Sequence, residues 1–260
     1  MQQESNLTPK ELGYYFPAEF APQAATWLSW PHKEASWPGK IHTIFPYYAQ
    51  FIKELAKGQK VNINVNDEAM KNFAIGHLLN AEIDLSKVEF FFHPTNDAWC
   101  RDHGPAFLIN PAAAENKKII VDWGYNAWGN KYPPFDLDDN IPTLIGKHYN
   151  IPVYYPNIVM EGGSVEFNGK GTIMTSTACL LNPNRNPHLN QQQIEKYLCD
   201  YYGAEQILWI DEGIVGDDTD GHIDDTVQEI LNMIREAINY YGIPDKIKLK
   251  YFNMALFVTN

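Results

Sequence analysis

The stretch Asn96-Asp97-Ala98-Trp99-Cys100-Arg101-Asp102-His103-Gly104-Pro105 lies between two apolar runs, Val88–His93 and Ala106–Ile109. Both runs read as strands, so the polar segment follows a strand end, where α/β folds tend to place their chemistry. Working outward, the same alternation returns. Ala25–Trp30 and Lys60–Val65 read as strands. Ile41–Lys57 carries Ile44, Tyr48, Phe51, Ile52 and Leu55 at helical spacing, and Asp67 is suited to cap a helix running to about Leu79. Further strands are expected at Lys118–Asp122, Val153–Tyr155, Ser164–Phe167, Thr172–Thr175 and Ile207–Ile210, with helices at Ile141–Tyr149 and Gln191–Tyr202. Strands separated by helices predict an α/β fold, with a β–β–α–β rhythm that recurs.

Composition narrows the function. The chain has 260 residues, 45% hydrophobic, 13% aromatic and 20% charged, which is globular and excludes a disordered chain. Its net charge of −12 repels phosphate backbones, so nucleic acid is not an expected partner and a small cation is. No apolar run reaches the roughly 20 residues of a membrane span. The opening MQQESNLTPKELGYY has neither a basic nor an apolar signal region, and three cysteines make no disulfide framework. Both features lead to the expectation of a cytoplasmic protein with reduced thiols.

Two motif imitations fail. Gly163–Gly171 (GSVEFNGKG) has the wrong spacing for a phosphate loop, and Gly216–Val227 (GDDTDGHIDDTV) lacks the first and twelfth carboxylates of a calcium loop. Three acidic, glycine-punctuated segments survive: Asn96–Pro105, Glu161-Gly162-Gly163-Ser164 and Gly216–Asp225. Together they supply Asp102, Glu161, Asp220, Asp224, His222 and Trp99. Clustered carboxylates repel one another unless a cation compensates, and a planar guanidinium matches them bidentately. Trp99 is suited to the face of such a cation.

With these segments in place, the chain resembles the agmatine deiminase family, relatives of the bacterial peptidyl-arginine deiminases in the pentein superfamily. The resemblance is carried, in order, by Tyr15–His32 (YFPAEFAPQAATWLSWPH), Trp99–Pro105, Glu161–Gly163, Cys179–Pro187 (CLLNPNRNP) and Gly216–Asp225. It implies a pentein-type α/β propeller of ββαβ modules around a pseudo-fivefold axis. It also implies attack of a cysteine thiolate on a guanidinium carbon, with loss of ammonia and then hydrolysis. Agmatine becomes N-carbamoylputrescine, on the way to putrescine and polyamines, without metal or organic cofactor. By the same resemblance Asp102 and Asp224 grip the guanidinium, His222 is the general acid/base, Glu161 orients His222, Trp99 borders the substrate and Asp220 belongs to the substrate-binding group.

The sequence departs from that pattern in one respect. The family's nucleophile lies in a Gly-Gly-x-x-His-Cys type motif, which these 260 residues do not contain. The expectation is therefore an agmatine deiminase-like domain over residues 1–227, an incomplete ring, and a divergent tail over 228–260. In that tail Val227–Tyr241 reads as an amphipathic helix and Lys246–Val258 as a strand. Cys100, Cys179 and Cys199 read as structural thiols, so the chain is expected to be catalytically incomplete. A peptidyl-arginine deiminase and a non-catalytic guanidinium binder stand as alternatives, and association between copies is expected from exposed strand edges.

Overall fold

Three short apolar strands, β1 (Ala25–Ser29), β2 (Lys60–Asn64) and β3 (Val88–Phe91), pair in parallel in that order. They form the first of three three-stranded sheets in the computed structural model, which describes residues 7–227. Helix α1 (Ile41–Ala56) lays Ala49, Ile52 and Leu55 against this sheet, and α2 (Glu68–Asn80) adds Ala74 and Leu78. Val61, Ile63 and Trp30 complete that core. Each fully buried aliphatic side chain here contributes about 1.5–3 kcal/mol. The Asp67 side chain accepts the Met70 N–H at 2.8 Å and so fixes where α2 begins.

The second and third sheets share one plan. In the second, β4 (Ala106–Ile109) runs antiparallel to β5 (Lys118–Val121), and helix α3 (Ile141–Tyr149) leads to β6 (Val153–Tyr154), parallel to β5. In the third, β7 (Val165–Phe167) and β8 (Thr172–Ser176) are antiparallel, and α4 (Gln191–Tyr202) leads to β9 (Gln206–Ile210), parallel to β8. Both are ββαβ units. The first sheet instead reads β-α-β-α-β and is wholly parallel. Helix α4 is bounded at both ends. Asn190 and Gln193 form a reciprocal capping box, and Gly203 closes the helix at φ +74°, a left-handed conformation costly for a residue with a Cβ.

The second and third sheets are joined by a common core that includes Leu108, Ile119, Val121, Met160, Val165, Ile173, Ile194 and Leu198. A smaller cluster of Trp27, Phe91, Phe107, Ile120, Ile141 and Ile145 ties the first sheet to the second. Residues Cys100–His103 form a single helical turn in which Asp102 N–H and His103 N–H both donate to the Trp99 carbonyl, at 3.0 and 3.2 Å. The expected helix Val227–Tyr241, apart from its first residue, and the expected strand Lys246–Val258 lie outside the described residues. No helix among the described residues is long and apolar enough to cross a membrane.

The end of β5 makes folding sensitive to pH. Asp122 is 8% exposed, and its Oδ2 accepts the Thr143 hydroxyl at 2.6 Å. Tyr155 meets that hydroxyl at 2.9 Å, and Asp139 is the nearby like charge. Burial pushes the Asp122 carboxyl up to about 7, and Asp139 adds to the rise. The folded chain holds this proton more tightly than the unfolded chain, where the group titrates near 4. Its contribution therefore falls as pH rises from about 4 through about 7. Asp122→Asn is expected to gain about 1–4 kcal/mol on the parent between pH 4 and pH 8. Urea unfolding of both chains at the two pH values checks this; an unchanged gap between them would refute it.

Candidate functional site

Four loops meet at one place: the segment after β3, the turn after β5, the segment before β7 and the loop after β9. The helical turn Cys100–His103 presents Asp102, whose Oδ1 accepts the Gly163 N–H at 2.9 Å. Its Oδ2 accepts the Trp128 indole N–H at 3.2 Å. Each oxygen keeps a lone pair for another donor. His222 Nδ1 lies 3.7 Å from Asp102 Oδ1 and 3.9 Å from Asp224 Oδ1. Gly163 allows this approach. A Cβ there would sit 2.8 Å from Asp102 Oδ1 and 2.9 Å from Asp224 Oδ2, and would collide with His222 Nδ1. Thus Asp102, His222 and Asp224 come together around a backbone position that has room for no side chain.

These groups open onto a cavity of about 500 Å³. Among the described residues, six carboxylates line it, Asp97, Asp102, Glu166, Asp218, Asp224 and Asp225, with Arg101 and His222 as the basic side chains. Trp99 and Trp128 form aromatic walls with their ring centroids 5.9 Å apart at 77°. Trp99 is 41% exposed and stacks on Trp37 at 5.7 Å. An acidic cavity with aromatic walls suits a flat or elongated organic cation.

The charges are tuned by burial and by two arginines. Burial pushes the Asp224 carboxyl up to about 6, with Asp102 adding to the rise and Arg101 and His222 opposing it. Burial likewise raises Glu166 to about 7, reinforced by Glu19 and opposed by Arg101. Arg101 is the hub. It donates to Glu19 through Nη1 and to Glu166 through Nη2 at 3.3 Å, and its Nε lies 3.7 Å from Asp224 Oδ2. Burial acts against its charge, but Glu19, Asp224 and Glu166 outweigh that and hold the guanidinium protonated.

Arg185 does the same on the side of Glu161. Its Nε donates to Glu161 Oε1 at 2.6 Å, and its Nη1 donates to Asp220 Oδ2 at 2.6 Å. Both Arg185 and Glu161 side chains are fully buried. Asp220 also accepts from Lys131 at 2.7 Å and from Asn184 at 3.0 Å. Burial opposes its ionisation, but the Asn184, Lys131 and Arg185 hydrogen bonds prevail and hold it down at about 2. The expectation that Asp220 binds substrate does not match this placement. Its oxygens are committed to internal donors and it is not among the residues lining the cavity.

Asp102, Asp224, His222 and Trp99 all line the cavity, whereas Glu161 is enclosed behind His222. Among the described residues its Oε2 and His222 Nε2 have no hydrogen-bond partner. The cysteines sit apart from the cavity wall. Burial drives the Cys100 thiol up to about 12 and raises Cys179 well above its ordinary value, with Glu161 adding to the latter. Sequence reasoning assigned no role to Arg101, Arg185, Glu19, Glu166 or Trp128. Three of them, Glu19, Arg101 and Arg185, stand inside the quoted motifs, and Arg101 next to Asp102 was the local signal available. Replacing Arg185 with Met would leave Glu161 buried and uncompensated, at an expected cost of about 3–5 kcal/mol. Urea unfolding at neutral pH measures it; a loss below 1 kcal/mol would show that Glu161 is neutralised in some other way.

Known proteins resemble this chain in sequence and fold. The sequence profile of the Porphyromonas-type peptidyl-arginine deiminase family matches residues 15–233. A Legionella pneumophila protein (strain Philadelphia 1), provisionally named an agmatine deiminase, is 40% identical over 94% of this chain and 70% of its own length. Similarity therefore continues past residue 227, where the sequence reading placed its end. An Enterococcus faecalis agmatine deiminase structure superposes with a TM-score of 0.78 at 32% identity, covering 86% of this chain and 60% of that one. A cysteine-to-serine C. jejuni agmatine deiminase, described with substrate bound, gives 0.71 at 34% identity over 81% of this chain and 60% of its own. The 260 residues thus span about 60% of these solved chains. The fold is the pentein type of these structures, and the chain belongs to the Porphyromonas-type peptidyl-arginine deiminase family.

Proposed function

We propose that the cavity binds agmatine as the substrate site of an agmatine deiminase-type C–N hydrolase. The carrying observation is the meeting of Asp102, Asp224 and His222 around Gly163 in a cavity lined by six carboxylates. Asp102 and Asp224 take the guanidinium N–H groups, a match of charge and planar geometry. Trp99 and Trp128 flank the ligand. The remaining carboxylates of the cavity, Asp218 and Asp225 among them, suit the ammonium at the other end of a diamine and oppose the carboxylate of free arginine.

In the full reaction a thiolate adds to the guanidinium carbon, ammonia departs, and water releases N-carbamoylputrescine, a step toward putrescine. His222 moves the protons, giving one to the leaving nitrogen and taking one from water. Glu161 stands behind His222 as the group that orients it. Agmatine and water thus give N-carbamoylputrescine and ammonia, with no redox change.

The 260 residues supply the binding half of this chemistry. Cys100 and Cys179 are buried thiols whose ionisation is strongly opposed. A thiol held protonated is a poor nucleophile. Cys199 lies on α4, packed against the core of the second and third sheets. The C. jejuni relative, with serine in place of a cysteine, is described with substrate bound. Binding without turnover follows by analogy. The setting we propose is the cytoplasm, where the thiols stay reduced.

Calorimetry with the 260-residue chain tests the reading. Agmatine is expected to bind, butylguanidine more weakly, and free arginine or a peptidyl-arginine model weaker still. Asp102→Asn and Asp224→Asn should each weaken agmatine about tenfold or more, the loss of a charge-assisted hydrogen bond. Ammonia release should stay at background. Absence of agmatine binding would sink the site assignment, peptidyl-arginine binding in preference to agmatine would change the substrate, and full turnover would overturn the claim that no thiol here can attack.

A further inference from the structure

Beneath the cavity lies a buried triangle that the proposed reaction uses only in part. Glu161, Cys179 and His222 each present one ligand-type atom, all within 4.8 Å of one another. The three residues are 0%, 0% and 2% exposed. Two of these side chains also carry a buried polar atom that makes no hydrogen bond among the described residues, Glu161 Oε2 and His222 Nε2. The other ends of the same side chains are engaged. Glu161 Oε1 takes the Arg185 Nε–H at 2.6 Å, and His222 Nδ1 faces Asp102 and Asp224. Unpartnered polar atoms in a buried space are costly, and a ligand that satisfies both at once would relieve that cost.

We propose that this triangle is a binding site for a thiophilic divalent cation of the zinc type, held by Cys179 Sγ, His222 Nε2 and Glu161 Oε2. The donor set is one sulfur, one imidazole nitrogen and one carboxylate oxygen, the three ligand classes zinc uses. Three protein ligands leave a fourth position for water, as in open zinc sites. The charges balance. Cys179 loses its proton to solvent as the metal–sulfur bond forms, and the thiolate and Glu161 together match the ion. Arg185 beside it is already matched by Asp220. Bond lengths of about 2.0–2.3 Å bring tetrahedral ligand atoms to about 3.2–3.8 Å apart, so the triangle must draw in by about 1 Å. His222 is the member that also lines the cavity, which gives the ion a route in. Occupancy takes His222 away from the guanidinium carboxylates, so the metal acts against ligand binding; that consequence rests on the proposed function, whereas the metal site itself does not.

The experiment is a titration of the metal-free 260-residue chain with Co²⁺, followed by displacement with Zn²⁺. One equivalent of Co²⁺ is expected to bind with thiolate-to-cobalt absorption, and Zn²⁺ should abolish that signal. Cys179→Ser should lose the absorption, and Glu161→Gln should weaken the affinity by about 10–100-fold, whereas Cys100→Ser and Cys199→Ser should leave both unchanged. Absorption that persists in Cys179→Ser, or no thiolate absorption in the parent chain, overturns the site. A zinc-soaked crystal of the parent chain decides independently of whether any variant folds: an anomalous peak bonded to all three side chains supports it, and no peak there refutes it. Agmatine calorimetry with and without Zn²⁺ then separates the two readings. Metal bound with agmatine affinity unchanged would refute the antagonism alone, and agmatine failing to bind in either case would refute the proposed function while the metal site stands.

Discussion

Carboxylates crowded around a single cavity repel one another, and the fold is arranged to offset that repulsion with buried arginines. Arg101 lies among Glu19, Glu166 and Asp224, and Arg185 among Glu161 and Asp220. Each guanidinium fork serves at least two acids, which a lysine could not do with the same planar geometry. The compensation is uneven. Asp220 is fully committed and strongly ionised, whereas Asp224 and Glu166 are pushed up by burial. A site left short of positive charge attracts a cation, and the acids with spare lone pairs are those that face the cavity.

Geometry follows from the same economy of space. Gly163 sits where Asp102, Asp224 and His222 converge, and its missing side chain is what allows them to do so. Gly162 is similarly confined, since a Cβ there would strike the Arg101 carbonyl. The glycine pair therefore serves two neighbours at once, the cavity-facing acids and the chain that carries the central arginine. The ββαβ plan supplies the convergence. Each of the second and third sheets begins with a hairpin and returns through a helix, so the segments flanking the sheets supply most of the cavity lining, and Glu166 reaches it from β7 itself.

Much of this was legible in the sequence, for identifiable reasons. Ala106–Ile109, Ile141–Tyr149 and Gln191–Tyr202 have the bounds expected of them, because strong apolar periodicity meets polar or glycine punctuation at each end. Asp67 caps α2 as its residue type suggested. The helical turn Cys100–His103 left no mark on the sequence pattern, since four residues are too few for a period to register. Motif order brought out Asp102, Glu161, His222 and Asp224 but not the arginines that stabilise them. A motif names residues without saying which charges neutralise which, and pairings such as Arg101 with Glu19 span too much of the chain to be read locally. Asp220 was misjudged for the same reason: nothing nearby in sequence announces Arg185, Lys131 or Asn184 as its donors.

The thiols show how burial divides binding from covalent chemistry. A nucleophile at this cavity would need to be exposed and partly ionised, near a positive charge. Cys179 has a cation nearby in Arg185, but that cation is already engaged by Glu161 and Asp220, and burial outweighs its help. Cys100 is surrounded by apolar packing and by the charges of Asp102 and Asp138, both of which disfavour a thiolate. A proton is thus the stable occupant of either sulfur as long as no stronger electrophile arrives. The environment that disables Cys179 as a nucleophile, a closed space with a carboxylate oxygen and an imidazole nitrogen unpartnered among the described residues, is also the one in which a doubly charged thiophilic ion could displace that proton.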